Sequence, residues 1–307
     1  MYSKIRRSKK YISRLCDFIR VEYQIIAVTL TSAKRGFYGE TWKLEAANKN
    51  YFVKLDYSPH KEIYKRSFPV IEHLCKHGID FISRVVSNAN GELFTQFETA
   101  VLGIFEWIEG ENRETDATKI PEYNMLAKVY TVPSGDIPIS REEFSDKNAD
   151  IFFKQWKKLS DKPLLSLLEK NRMKIEHRAK RLKKFAKLCR SDTSGFVITH
   201  GDAGGNLMVN GDKYYIVDWD NPILAPPERD AWVMCSRDWA REAFQDALRH
   251  NGIEYTLRPE RLAYYCYDYF FFYLTAFLDA STQADMVEEY IDGWIEGSFD
   301  YADKINV

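Results

Sequence analysis

The sequence predicts an α+β fold, and three observations carry that prediction. Strand-like runs crowd the first hundred residues, with one helical stretch among them. Helical periodicity dominates beyond residue 110. A single hairpin signal, Asn210-Gly211 between two apolar runs, interrupts the helical part. With 307 residues the chain is long enough for two domains. The change of character at Glu109-Gly110-Glu111-Asn112 sets the expected division: residues 1–103 as a first lobe, 104–110 as a hinge, 111–307 as a second lobe.

The elements follow in order. Residues 25–30 read as a strand, and Gly36 and Gly39 then break the chain. Residues 41–46 and 51–55 read as two more strands around an Asn48-Lys49-Asn50 turn. Residues 62–77 read as a helix ended by Gly78, with Pro69 as a point where it starts or kinks. Residues 85–97 suggest a second hairpin around Asn90-Gly91, and residues 100–105 a further apolar strand. Residues 132–140 form a loop between helices. Residues 164–188 read as one long helix rich in Lys and Arg, best explained as a solvated face with leucines turned inward.

Composition narrows the classes. The chain is 45% hydrophobic and 29% charged, the balance of a globular protein able to build a sizeable core. Lys+Arg number 44 against 45 Asp+Glu, so no global charge points to nucleic acid. Five scattered cysteines without a Cys-x-x-Cys pair fit reduced thiols and a cytoplasmic location. The basic residues near the N-terminus lead into a segment broken by Arg14, Asp17 and Arg20, unlike a signal-peptide core. The apolar-rich run at 269–278 is too short to span a bilayer.

The chemistry concentrates between residues 196 and 232. Asp202, Asn206 and Asp218 stand at the ends of short apolar runs, and a two-residue turn at Asn210-Gly211 would fold the last two towards each other. Phosphoryl transfer asks for an aligned nucleophile and neutralised phosphate charge. A carboxylate such as Asp202 can take the proton of an acceptor hydroxyl. An amide oxygen and a carboxylate, here Asn206 and Asp218, suit magnesium, which prefers hard oxygen ligands. In the first lobe, Lys54 ends an apolar strand and can pair with nucleotide phosphates, and Glu62, or alternatively Glu72, can fix it by an ion pair. The loop Gly36-Phe37-Tyr38-Gly39 can cover phosphates with backbone N–H groups.

At these residues the chain resembles the aminoglycoside phosphotransferase family, a branch of the protein-kinase-like fold. The motifs are Tyr-Phe-Val-Lys-Leu, Phe-Glu-Trp-Ile-Glu-Gly, His-Gly-Asp-Ala-Gly-Gly-Asn and Ile-Val-Asp-Trp-Asp. The run Ile-Val-Asp-Trp-Asp-Asn-Pro-Ile-Leu-Ala-Pro-Pro-Glu-Arg-Asp is similar to that of the spectinomycin phosphotransferase type. The resemblance implies a bilobal fold: an antiparallel sheet plus helix, then a mainly helical lobe with a catalytic-loop hairpin. It implies ATP and Mg2+ as cofactors, Asp202 as catalytic base, Asn206 and Asp218 as metal ligands, and Lys54 on the phosphates with Glu62 as partner. Backbone groups of Glu106 and Trp107 would meet the adenine edge, with Ile104 and Phe105 lining its pocket. His200 and Asp230 would support the catalytic loop.

Trp219, Asp220, Glu228 and Asp238 are candidates to hold a cationic acceptor, with Trp239 and Tyr264, Tyr265 and Tyr269 behind them. Helix packing is the better reading of the tyrosines. The expected partner is a small-molecule hydroxyl acceptor, with no nucleic acid and no membrane. The motifs describe the phosphate end and leave the acceptor open. An aminoglycoside or aminocyclitol would make this an antibiotic-resistance enzyme. A metabolic alcohol of the choline, homoserine or methylthioribose kind is the alternative, and a nucleotide-binding module without turnover is a third reading.

Overall fold

The computed structural model describes residues 7–33, 39–58, 61–279, 284–293, 295 and 297–306. Gly36, Phe37 and Tyr38 of the expected phosphate-covering loop lie outside the described residues. The chain begins with α1 (Lys9–Tyr23), β1 (Ala27–Ser32), β2 (Gly39–Ala46), β3 (Asn50–Asp56) and α2 (Lys61–Lys76). Then come β4 (Thr95–Phe97), β5 (Ala100–Glu106), β6 (Glu111–Asn112) and α3 (Asp116–Tyr130). The middle holds α4 (Lys147–Trp156), α5 (Lys162–Lys170), α6 (Arg172–Arg190), β7 (Val197–Thr199), β8 (Leu207–Asn210), β9 (Lys213–Ile216) and β10 (Ile223–Ala225). The last helices are α7 (Glu228–Ala231), α8 (Asp238–His250), α9 (Pro259–Asp279), α10 (Ala284–Gly293) and α11 (Ser298–Asp303). This is the expected α+β fold, with an antiparallel sheet towards the N-terminus and helices towards the C-terminus.

Two compact units divide the chain: Met1–Ser140 with His200–Ile223, and Arg141–Thr199 with Leu224–Val307. The segment 104–110 lies inside the first unit. That unit holds a five-stranded antiparallel sheet, β1-β2-β3-β5-β4, and a three-stranded one, β6-β8-β9. Alternation along β3 and β5 gives the larger sheet two different faces. Val53, Leu55, Leu102 and Ile104 join a core with Leu15, Ile19 and Tyr23 of α1. Lys54, Gly103 and Phe105 face the other way, towards α2: Phe105 stacks on Phe68 and Lys54 lies over the ring of Tyr64. Helix α1 was absent from the sequence expectations, although Tyr11, Leu15, Ile19 and Tyr23 recur every fourth residue and are its buried stripe.

Two expectations need correction and one is narrowed. The 85–97 hairpin does not form: β4 pairs with β5, and Val85 makes only an isolated bridge to Phe105. Asn88 instead closes a loop on itself, its Oδ1 accepting from the N–H groups of Asn90 and Glu92 at 3.0 and 2.8 Å. Helix α2 has the expected extent and does not start at Pro69, because Tyr64, Phe68, Ile71 and Leu74 bury a stripe on both sides of it. The long basic helix breaks at Asn171 into α5 and α6; Leu164, Leu167, Leu168 and Leu182 turn inward, Leu188 is exposed, and the lysines stay exposed.

In the second unit α9 is the central helix, packed by α4, α6 and α11. Its Tyr264, Tyr265, Tyr267, Phe270 and Phe271 are buried. The hydroxyls of Tyr264 and Tyr265 donate to Ser145 O and Glu142 Oε2 at 2.9 and 3.0 Å, so these two rings are core with satisfied polar tips. All five cysteines are free thiols. Among the described residues no helix is long and apolar enough to cross a membrane.

Candidate active site

The hairpin of β8 and β9 is the site's foundation. Its register pairs Leu207 with Ile216 and Asn210 with Lys213, so the two central turn positions are Gly211 and Asp212, one residue beyond the expected pair. Gly211 has φ +58°, a conformation glycine adopts without steric cost. One step before the ladder, the Val217 N–H donates to Asn206 O at 3.0 Å. Asn206 therefore sits across from the residue that precedes Asp218. Its side-chain N–H2 donates to Asp202 O at 2.6 Å and to Asp202 Oδ2 at 3.3 Å. That use of the amide nitrogen orients the Asp202 carboxylate and leaves Asn206 Oδ1 as the atom suited to a cation.

His200 closes the other side of the loop. Its Nδ1 accepts the Asp202 N–H at 3.1 Å, which assigns the ring proton to Nε2, and Nε2 donates to Val217 O at 2.9 Å. The imidazole thus ties the start of the Asp202 loop to the segment that runs from β9 to Asp218. Gly201 and Gly205 have φ of +84° and +92°, turns that a side chain would strain. Gly205 is held by two side chains from the β6–α3 segment: its N–H donates to Glu114 Oε1, and its carbonyl accepts from Asn112 Nδ2.

A tight turn then aims two carboxylates at one lysine. Asp218 itself has φ +66°, a left-handed conformation that Asp tolerates better than most residues. The Asp220 N–H donates to Asp218 O at 2.8 Å, a three-residue turn centred on Trp219. The turn sends Trp219 into the core, only 4% exposed, with its ring edge on His200 and its Nε1 donating to Ile216 O at 3.0 Å. It sends Asp218 and Asp220 to the same side. Lys54 Nζ donates to Asp218 Oδ1 at 2.8 Å and also to Asp220 Oδ2.

Lys54 is buried, which alone would lower its pKa, but the two carboxylates outweigh burial and hold it above its ordinary value. Burial pushes Asp218 up, yet Lys54, aided by His200, brings it below the usual carboxylate range. Asp220 goes the other way: burial and the neighbouring Asp218 charge raise it despite Lys54. Beside Lys54 the Tyr64 hydroxyl is buried with no hydrogen-bond partner among the described residues.

A lysine from a sheet, a carboxylate after a hairpin and an Asp–Asn pair on its preceding loop now stand in one compact unit. Residues 29–265 match the family model described as the phosphotransferase enzyme family, APH. The chain belongs to this family. The solved structures tell the same story about the fold. Spectinomycin phosphotransferase APH(9)-Ia, in complex with ADP and spectinomycin, aligns with a TM-score of 0.77 at 20% identity over 95% of this chain and 97% of that one. A putative aminoglycoside phosphotransferase from Ralstonia eutropha aligns at 0.62, 15% identity, 96% and 99%. Macrolide 2'-phosphotransferase type I aligns at 0.59, 12% identity, 96% and 99%. No curated protein sequence is significantly similar to the chain. The protein is therefore a small-molecule phosphotransferase of the kinase kind.

The phosphotransferase places its other candidate residues unevenly. Glu62 is not brought to Lys54: it bonds Lys65 at 2.8 Å and its side chain is 61% exposed, while Glu72 bonds Lys76 at 3.3 Å. Helix α2 offers Lys54 the aromatic face of Tyr64 instead. Ile104 points into the α1 core, so only Phe105 of the two lies on the lysine's face of the sheet. The Glu106 N–H is given to Arg84 O at 2.8 Å and its carbonyl accepts from Ser83 Oγ at 2.6 Å. The Trp107 N–H is given to Asn50 O at 3.3 Å. Both N–H groups are thus used inside the unit, while a carbonyl such as that of Glu106 keeps a second lone pair for a further donor. Trp219 is core packing, and Asp220 is a partner of Lys54.

Glu228, Asp230 and Asp238 belong to the second unit. Glu228 is fully buried, accepting from Tyr255 OH at 2.9 Å and Arg258 N–H at 2.6 Å. Its carboxyl is pushed up to about 7 by burial, against those hydrogen bonds. It is a structural acid, not an acceptor contact. Asp238 is an exposed side chain paired with Arg241 in the first turn of α8. Asp230 lies on α7, its N–H bonded to Pro227 O at 3.1 Å.

Tyr64, Gly103 and the Asn112–Glu114 pair escaped sequence reasoning. Only Gly103, a glycine inside an apolar strand, carried a signal of close approach: a Cβ there would lie 2.4 Å from Phe68 and 2.8 Å from the Tyr64 hydroxyl.

Proposed function

We propose that the protein transfers the γ-phosphate of ATP, with Mg2+, to a hydroxyl of a small aminoglycoside- or aminocyclitol-like acceptor of the spectinomycin kind, in the cytoplasm. The observation that carries this reading is the Lys54–Asp218 ion pair in the same unit as the Asn206–Asp202 hydrogen bond. Lys54 would meet the nucleotide phosphates. Asp218 and Asn206 would hold the cation. Their hard oxygen atoms, with the second carboxylate of Asp220 alongside, fit magnesium. The ion, when bound, neutralises charge on the phosphates.

Asp202 aligns the acceptor hydroxyl and takes its proton as the oxygen attacks the γ-phosphorus, while the bond from that phosphorus to the bridging β-phosphate oxygen breaks and ADP leaves. Asn206 and His200 keep that carboxylate in place, and the fixed loop spares the reaction the cost of ordering it. The spectinomycin-bound fold relative supports the acceptor class. Labelled-ATP assays over spectinomycin, aminoglycosides, macrolides, choline, homoserine and methylthioribose test it. Magnesium-dependent labelling of an aminocyclitol or aminoglycoside is expected. Labelling of a metabolic alcohol alone would transfer the site to metabolism, and binding of nucleotide without labelling of any acceptor would leave a module without turnover.

A further inference from the structure

The catalytic loop between Asp202 and Asn206 contains Gly204 and Gly205 and is exposed over most of its length. Glycines lose more conformational freedom on ordering than other residues, so such a loop holds one shape only if something fixes it from outside. Both backbone groups of Gly205 are held by side chains: the N–H by Glu114 and the carbonyl by Asn112. These two residues reach the loop because β6 pairs with β8, Asn112 opposite Met208. Gly110 permits that pairing, since a Cβ there would come within 2.7 Å of Val209 O. Behind Glu114, Lys119 of α3 donates to Glu114 Oε2 at 2.7 Å and to Glu122 Oε2 at 2.9 Å. Lys119 and Glu122 are buried, 6% and 3% exposed, and the lysine keeps its charge because these carboxylates outweigh its burial.

We infer that Asn112, Glu114 and Lys119 form a positioning clamp for the catalytic loop, gripping the Gly205 peptide so that Asp202 and Asn206 keep their mutual geometry. The clamp acts through the loop and touches neither nucleotide nor metal. It rests on the functional reading above only for its effect on rate. Removing it lets the loop sample other shapes, so the rate of phosphoryl transfer falls while nucleotide binding through Lys54 and Asp218 does not.

Asn112→Ala, Glu114→Ala and the double variant test this, and because both residues are exposed they are expected to fold. Glu114→Gln keeps an acceptor for the Gly205 N–H and serves as the conservative control. Two readouts separate the inference from the functional reading. The first is hydrogen–deuterium exchange of peptides covering 201–206, which needs no turnover. The double variant should exchange there about tenfold faster than wild type, with the strand peptides unchanged. The second is magnesium-dependent ATP turnover with the best acceptor, or with water if none is found. The turnover number should fall by about 10²-fold, the scale of a misplaced reacting group, with the nucleotide KM unchanged and Glu114→Gln near wild type. Wild-type turnover together with unaltered exchange or rate in the double variant overturns the clamp alone. Faster exchange in a protein without any turnover upholds the clamp and overturns the phosphotransfer reading. Equal loss of rate and nucleotide binding reduces the three residues to a general structural role and overturns the inference.

Discussion

Glu228 offers a quantitative test of whether the second unit has been read correctly. The sequence suggested an acceptor-binding carboxylate, which would be solvated and titrate normally. The structure buries it completely and raises it from 4.5 to about 7. A carboxyl raised in the fold stabilises fully at pH values below its unfolded pKa, and that contribution is lost as pH rises through the folded value. The loss therefore runs between about pH 4.5 and 7. A tenfold change in proton affinity is worth about 1.4 kcal/mol. From pH 5.5 to 8.5 the fold gives up about one and a half decades of its extra proton affinity, roughly 2 kcal/mol. Glu228→Gln cannot ionise and lacks this slope. Urea denaturation of both proteins at pH 5.5 and 8.5 should show wild type losing about 2 kcal/mol more than the variant. Parallel pH dependences would refute the buried-acid account and return Glu228 to the solvated acids.

Three further outcomes follow from the same geometry. Gly103→Ala should destabilise by about 1–3 kcal/mol, because the added methyl must displace Phe68 or Tyr64 of α2, and thermal unfolding with a nucleotide titration would also show weaker binding through the disturbed Lys54. Trp219→Phe removes the bond to Ile216 O and should cost about 1 kcal/mol in denaturant unfolding, with the acceptor KM unchanged; a raised acceptor KM would place the indole in the acceptor site after all. Lys54→Met should raise the nucleotide KM strongly in steady-state assays, whereas Glu62→Gln should leave it unaltered, since Glu62 belongs to Lys65.

Local rules carried much of the fold into the sequence. Alternation gave β2, short apolar runs gave β3 and β5, and the Asn210-Gly211 signal gave the hairpin on which the Asp202, Asn206 and Asp218 geometry depends. What stayed hidden was tertiary. Nothing local says that Val85 meets Phe105 and not its neighbours in sequence, because a short apolar run fits either partner. Lys54 could be placed at a strand, but its partner could not: Glu62 was near in sequence, while Asp218 and Asp220 reach it across more than 160 residues. Trp219 and Asp220 looked alike as neighbours of a metal ligand until the turn between Asp218 and Asp220 sent them to opposite sides. Glu228 read as an acceptor-binding carboxylate, and only burial revealed its role.

The central claim is that Asp202, oriented by Asn206 and His200, takes the acceptor proton in a site whose phosphate end is Lys54 and Asp218. The most direct measurement is magnesium-dependent phosphoryl transfer by Asp202→Ala beside nucleotide affinity of the same variant. The account predicts a turnover number lower by about two to four decades with nucleotide affinity unchanged; turnover retained in Asp202→Ala would contradict it.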